Sequence, residues 1–129
     1  MILGIAHLAF VVSDMDKSLD FYCRGLGMEH AFSINDPQGN PWIEYLKLAD
    51  GQFVELFYPK GDYSARNSSY MHMCLRVDDC GAAAKEMEAR GIDVYAKPTQ
   101  GLDHNWQCWI KDPDGHPIEI MQISPDSPQ

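Results

Sequence analysis

Two histidines and two glutamates stand at matching intervals in this chain. His7 precedes Glu55 by 48 residues, and His72 precedes Glu119 by 47. A neutral imidazole nitrogen and a carboxylate oxygen both bind divalent cations. Two of each make an N2O2 set that suits Ni2+, Co2+, Zn2+, Mn2+ or Fe2+ rather than a soft thiolate site. Side chains alternate along a strand, so Glu55 shares its face with Phe53 and Phe57, while Glu119 sits in the apolar run Pro117 to Ile123. A lone carboxylate in such surroundings is costly to ionise or stays protonated, and a bound cation removes that problem. Taken singly, each residue has a plainer reading: a satisfied histidine, or the outward side of an edge strand. The paired recurrence favours the metal, because a buried glutamate has little structural use of its own.

The recurrence is part of a longer repeat. Displacing the chain by 64 residues lays Trp106 on Trp42, Lys111 on Lys47, Asp114 on Asp50, Gly115 on Gly51 and Glu119 on Glu55. Ile110, Ile118 and Ile120 then fall on Leu46, Val54 and Leu56. Near the front the displacement is 65, which lays His72 on His7, Val77 on Val12 and Asp79 on Asp14. His30, His104 and His116 have no counterparts in the repeat, and His30 and His116 are read as surface residues.

Each half predicts the same elements. A strand rich in apolar and β-branched residues opens it, Ile5 to Val12 or Met71 to Val77. Asp14 or Asp79 then caps a helix. In the first helix Met15, Ser18, Leu19, Tyr22 and Leu26 fall at helical spacing; in the second Ala83, Ala84 and Met87 do, with Gly91 at the stop. Three strands follow, the last two joined at Asp50-Gly51 or Asp114-Gly115, a hairpin signal. The expectation is an α+β fold of two tandem β-α-β-β-β modules, residues 1–58 and 70–123, joined by a polar linker over 59–69. One helix per sheet leaves a sheet face uncovered. Two such faces set side by side are expected to form a cup-shaped mixed sheet around a common cavity.

Bulk properties narrow the partners. The chain has 129 residues, enough for one domain with a real core. Its net charge of -9 argues against nucleic acid and against anionic membranes. The first twenty residues hold His7, Asp14, Asp16, Lys17 and Asp20, so no secretory leader is expected there. Cys23, Cys74, Cys80 and Cys108 form no C-x-x-C pair and are read as reduced thiols of a cytoplasmic protein.

Four stretches carry a resemblance: IAHLAFVVSDMDKSLDFYCRGLGM from Ile5 to Met28, QFVELF from Gln52 to Phe57, YMHMCLRVDD from Tyr70 to Asp79, and DPDGHPIEIM from Asp112 to Met121. Together they resemble the vicinal-oxygen-chelate superfamily, and within it the glyoxalase I (lactoylglutathione lyase) group. The four metal positions of that group match His7, Glu55, His72 and Glu119. The resemblance implies paired β-α-β-β-β modules, a homodimer, and one divalent metal, Ni2+ or Co2+ in preference to Zn2+. It implies a small-molecule substrate that presents a carbonyl and a hydroxyl, as a hemithioacetal does, to a metal acting as Lewis acid on a bound enediolate. A carboxylate carries the proton between carbons; Glu119 is the first choice for that base and Glu55 the second.

The chain departs from the group where glutathione is held. Members that use it carry an Arg four residues after the first ligand and an Asn four after the second; here those places are Val11 and Pro59, which offer no side-chain donor. Arg76, four residues after His72 and in the place of Val11 within the repeat, is a candidate to bind an anionic group of substrate; the alternative is a surface pair with Asp78 or Asp79. Trp106 and Trp109 are candidates for an aromatic substrate wall, although Trp106 has a repeat partner in Trp42, which favours core packing for Trp106 and Trp42. Lys60, Tyr63 and Arg66 in the linker are further candidates to close over a ligand.

Other activities weigh less. Acyl-thioester epimerases of the superfamily often carry Gln where Glu55 stands. Extradiol dioxygenases and fosfomycin-modifying relatives use three protein ligands. Metal-free antibiotic-binding relatives lack the four-residue set.

Overall fold

The computed structural model describes residues 6–60 and 72–127. The chain divides into two compact units, residues 1–67 and 68–129. Ile5, Tyr70, Met71 and the linker positions 61–69, including Tyr63 and Arg66, lie outside the described residues.

In the first unit, strand β1 (His7–Val11) leads to helix α1 (Met15–Leu19), which continues into a π-helical turn over Asp20–Gly25. Asp14 caps α1, its carboxylate accepting the Lys17 backbone N–H at 3.1 Å. Strands β2 (Glu29–Asn35), β3 (Pro41–Ala49) and β4 (Gln52–Phe57) follow. The sheet runs β1-β4-β3-β2, with β1 parallel to β4 and the other pairs antiparallel. Alternation assigns the faces. Val12, Leu46, Val54 and Leu56 are fully buried on the helix side, where Tyr22 is also fully buried and meets Phe10. The opposite face carries His7, Ala9 and Val11 beside Phe53, Glu55 and Phe57. The β3–β4 turn is the two residues Asp50-Gly51, and Gly51 takes φ +72°, a conformation that L side chains rarely adopt.

The second unit repeats the plan: β5 (Met73–Arg76), α2 (Cys80–Ala89), β6 (Ala96–Gln100), β7 (Trp106–Lys111) and β8 (Pro117–Gln122), in sheet order β5-β8-β7-β6. Asp79 caps α2 through the Ala82 N–H at 2.8 Å. Met73, Cys108, Ile110, Ile118 and Ile120 are buried, with Cys80 and Ala84 of α2 buried above them. The fold is therefore α+β, two four-stranded mixed sheets each with its own helix. All four cysteines are free thiols. Among the described residues no helix is long and apolar enough to cross a membrane.

Two expectations about single residues change. His116 is held in place: Asp112, its side chain wholly buried, takes the His116 ring Nδ1 at 2.8 Å and the backbone N–H groups of Asp114 and His116. His30 is exposed, as expected, and its ring also reaches the buried Glu44 carboxylate at 2.6 Å. Trp106 is 43% exposed, so it is not a core residue.

Candidate functional site

On the open face of the first unit, His7 and Glu55 meet. The His7 Nδ1 lies 3.2 Å from a Glu55 carboxylate oxygen, the histidine half exposed and the glutamate side chain buried. Parallel pairing puts His7 beside Phe53, and Glu55 is two residues further along the same face. Tyr45 lies directly across from Glu55 on β3. The polar contact with the Glu55 carboxylate, with some burial, holds the phenol above its ordinary pKa. Phe32 stacks on Tyr45 with ring centroids 4.3 Å apart, and Phe53 meets Tyr45 edge-on at 6.2 Å.

The second unit holds the matching pair. His72, one residue ahead of β5, brings Nε2 to 3.2 Å from a Glu119 oxygen. Trp109 lies directly across from Glu119 and meets the His72 ring edge-on at 4.9 Å. Cys74 flanks Glu119 on the other side. Burial of the sulfur, then the Glu119 charge, push the Cys74 thiol up to about 12.

The spacing of these pairs is compatible with two ligands of one ion as well as with a long hydrogen bond. Elsewhere in the molecule, histidine–carboxylate contacts run at 2.6 Å (His30–Glu44), 2.8 Å (His116–Asp112) and 3.0 Å (His104–Asp126), the range of hydrogen bonds. Both pairs on the open faces stand at 3.2 Å. Two ligand atoms held roughly 2.1 Å from one ion, at angles between a right angle and tetrahedral, are about 3.0–3.4 Å apart. Among the described residues neither glutamate has a lysine or arginine ion pair, so histidine is the neighbour offered to each buried carboxylate. The donors, imidazole nitrogen and carboxylate oxygen, fit a divalent cation of borderline hardness.

The structure brings the four residues together as two pairs, one inside each unit. Among the described residues no three histidine, cysteine, aspartate or glutamate side chains gather as a metal-holding group. Arg76 lies on the Glu119 face, pairs in register with Met121, and has no ion pair with Asp78 or Asp79 among the described residues. Trp106 does not join this face: it pairs with Gln122 and shares its side with Cys108 and Ile110, because an odd number of residues separates it from Trp109. Lys60 lies over the Trp42 ring, 5.2 Å from its centre. Sequence reasoning missed Tyr45 and Cys74. Both were findable, Tyr45 as the repeat counterpart of Trp109 and Cys74 by alternation from His72.

The chain resembles known proteins along most of its length. The family model described as the Glyoxalase/Bleomycin resistance protein/Dioxygenase superfamily matches residues 4–120. A probable lactoylglutathione lyase of Vibrio cholerae is 32% identical over 126 residues, covering 92% of this chain and 89% of that protein. A lactoylglutathione lyase of Haemophilus influenzae is 31% identical, with 93% of each chain covered. Among solved structures, TnmS3, an antibiotic binding protein from a Streptomyces species, shares the fold with a TM-score of 0.76 at 22% identity, covering 95% of this chain and 98% of that one.

Proposed function

The chain belongs to the glyoxalase/bleomycin resistance protein/dioxygenase superfamily, and from that premise we propose that it is a divalent-metal-dependent lyase or isomerase of the glyoxalase I type, acting on a hemithioacetal or a related α-hydroxycarbonyl. The observation that carries this reading is the pair of buried glutamates, each with a histidine nitrogen at 3.2 Å and each in the same place of a duplicated unit. The similarity to proteins named lactoylglutathione lyase supports it.

The ligands in this reading are His7 and Glu55 of a first unit and His72 and Glu119 of a second. The protein works as a homodimer. When bound, the metal, with Ni2+ or Co2+ preferred to Zn2+, polarises the substrate's neighbouring oxygens and so acidifies the C–H between them. The chain's own groups do the rest. Glu119 takes the proton from one carbon and returns it to the next, so atoms and electrons balance within the substrate. Its assignment over Glu55 is supported by their neighbours. Glu55 faces the Tyr45 phenol, a polar group, whereas Glu119 has a thiol, a weak donor, beside it. Trp109 fixes the His72 ring and offers the substrate an apolar wall.

The test is a calorimetric titration of metal-stripped protein with Ni2+ and Zn2+, repeated on Glu119→Gln. Tight, saturable binding that weakens in the variant is expected, with isomerase activity on hemithioacetals following metal content. No binding, or binding indifferent to Glu119, would overturn the enzyme and leave a metal-free small-molecule binder.

A further inference from the structure

The open face of the second unit holds a cavity of about 340 Å3 lined by Cys74, Arg76, Met121 and Ile123. That is at the small end of ligand sites. Its lining is one cation, one neutral thiol and two apolar side chains. The chain carries 19 acidic against 10 basic residues, so cations find partners readily. Arg24 pairs with Asp20 and Arg90 with Glu86. Arg76 has no such pair among the described residues, although Asp78 and Asp79 follow it closely in the chain. Asp79 is occupied in capping α2. Among the described residues the guanidinium thus has no ion pair, and the other lining residues of the cavity are uncharged.

The geometry points to a subsite for a substrate carboxylate, gripped by the planar fork of Arg76, with the apolar body of the substrate lying along Met121 and Ile123 toward Glu119. A guanidinium matches a carboxylate in shape and charge. Among the described residues the lining includes no second cation, which favours one negative charge over a phosphate dianion. Cys74 pairs with Glu119 and Arg76 with Met121, two residues on, so the two backbone positions stand roughly 7 Å apart along one face. The equivalent places in the first unit are Ala9 and Val11, which carry no charge. The grip is therefore one-sided, and it orients the substrate. This deepens the proposed function, on which it rests for the role of Glu119.

Hexanoate, hexan-1-ol and hexyl phosphate are suitable probes, followed through the methyl NMR signals of Met121 and Ile123 in metal-stripped protein. Hexanoate is expected to shift both signals saturably and the alcohol far less. Arg76→Met should weaken hexanoate binding about ten-fold or more while leaving the alcohol unaffected. Arg76→Lys should recover part of the loss. Equal hexanoate binding by Arg76→Met, no preference for hexanoate over the alcohol, or markedly tighter hexyl phosphate would each overturn the carboxylate subsite. A parallel nickel titration of Arg76→Met should match the parent, and a fall there would also overturn it, since the residue would then act on the metal pair. Failure of the parent to bind metal, with hexanoate binding intact, would sink the proposed function and leave the subsite standing.

Discussion

Replacing Tyr45 with phenylalanine removes one oxygen and tests whether the Glu55 pair is built for a metal. The Tyr45 ring stacks on Phe32 at 4.3 Å and meets Phe53 edge-on, and phenylalanine keeps both contacts. What it loses is the hydroxyl that faces Glu55 and whose pKa that carboxylate raises. Groups that orient a metal ligand in this way are worth about 10–100-fold in metal affinity. One donor on a half-exposed ring belongs at the low end, so nickel affinity should fall about ten-fold, or roughly 1.4 kcal/mol. The same figure returns in thermal stability. Metal stabilises the folded state in proportion to the logarithm of its concentration over Kd, so at fixed saturating nickel the gain on loading should shrink by about 1.4 kcal/mol. The metal-free melting point should move little, because burial and ring packing are unchanged. Calorimetric titration and paired melts with and without nickel measure both quantities. Unaltered affinity in Tyr45→Phe would refute the argument. So would a loss of stability that is as large without metal as with it, since that would make the hydroxyl a structural group.

Two further outcomes follow from groups away from the metal pairs or beside them. The Cys74 thiol, pushed up to about 12, has its thiolate fraction near pH 8 cut by about three powers of ten relative to free cysteine, partly offset by the greater nucleophilicity of a more basic sulfur. Iodoacetamide should therefore label Cys74 on the order of a hundred-fold more slowly than free cysteine, despite its exposure, and labelling at a free-thiol rate by peptide mass spectrometry would contradict this. Glu44 is held below its usual range: burial pushes it up, but bonds from Ser33, His30 and Tyr58 together outweigh burial. The folded state thus favours the carboxylate, so its contribution is complete above the unfolded pKa and is lost as pH falls through the folded one. Tyr58→Phe removes a 3.0 Å bond to that carboxylate and should cost about 1.5 kcal/mol in urea unfolding at neutral pH, with the gap narrowing in acid; a gap undiminished at acid pH would assign the loss to packing.

Much of this was legible because strand alternation and the repeat act together. The alternation of Phe53, Glu55 and Phe57 is enough to put the carboxylate opposite the helix side, and the displacement of the repeat carries the same assignment to Glu119. Alternation fails where the ladder is irregular. A bulge between His30 and Phe32 lets His30 and Ser33 share a face, which is how both reach Glu44 while Phe32 turns to Tyr45. No pattern of residue types marks that extra residue, so the contact of the exposed His30 with Glu44 is not readable until the register is known. Asp112 escapes for a different reason. Its counterpart in the repeat is Leu48, and the second hairpin is longer than the first, closing through side-chain bonds from Asp112 instead of through two residues alone. Trp106 reads both as core and as substrate wall; it lies on the helix side of β7, beside Cys108 and Ile110 and off the Glu119 face, and is too exposed for the core.

The two units keep one backbone plan and differ where packing does not constrain them. On the helix sides the counterparts stay apolar and similar in size: Leu46 with Ile110, Val54 with Ile118, Leu56 with Ile120, all fully buried. A well-packed core tolerates little else. On the open faces the counterparts diverge in chemistry. Tyr45 stands where the second unit has Trp109, Ala9 where it has Cys74, Val11 where it has Arg76, while the histidine and glutamate are the same in both. Under the proposed function, a proton transfer from one carbon to its neighbour has a direction, which two identical units would not supply. Tyr45 opposite Glu55, the thiol beside Glu119, and Arg76, without an ion pair among the described residues, are three differences between the units that would supply it.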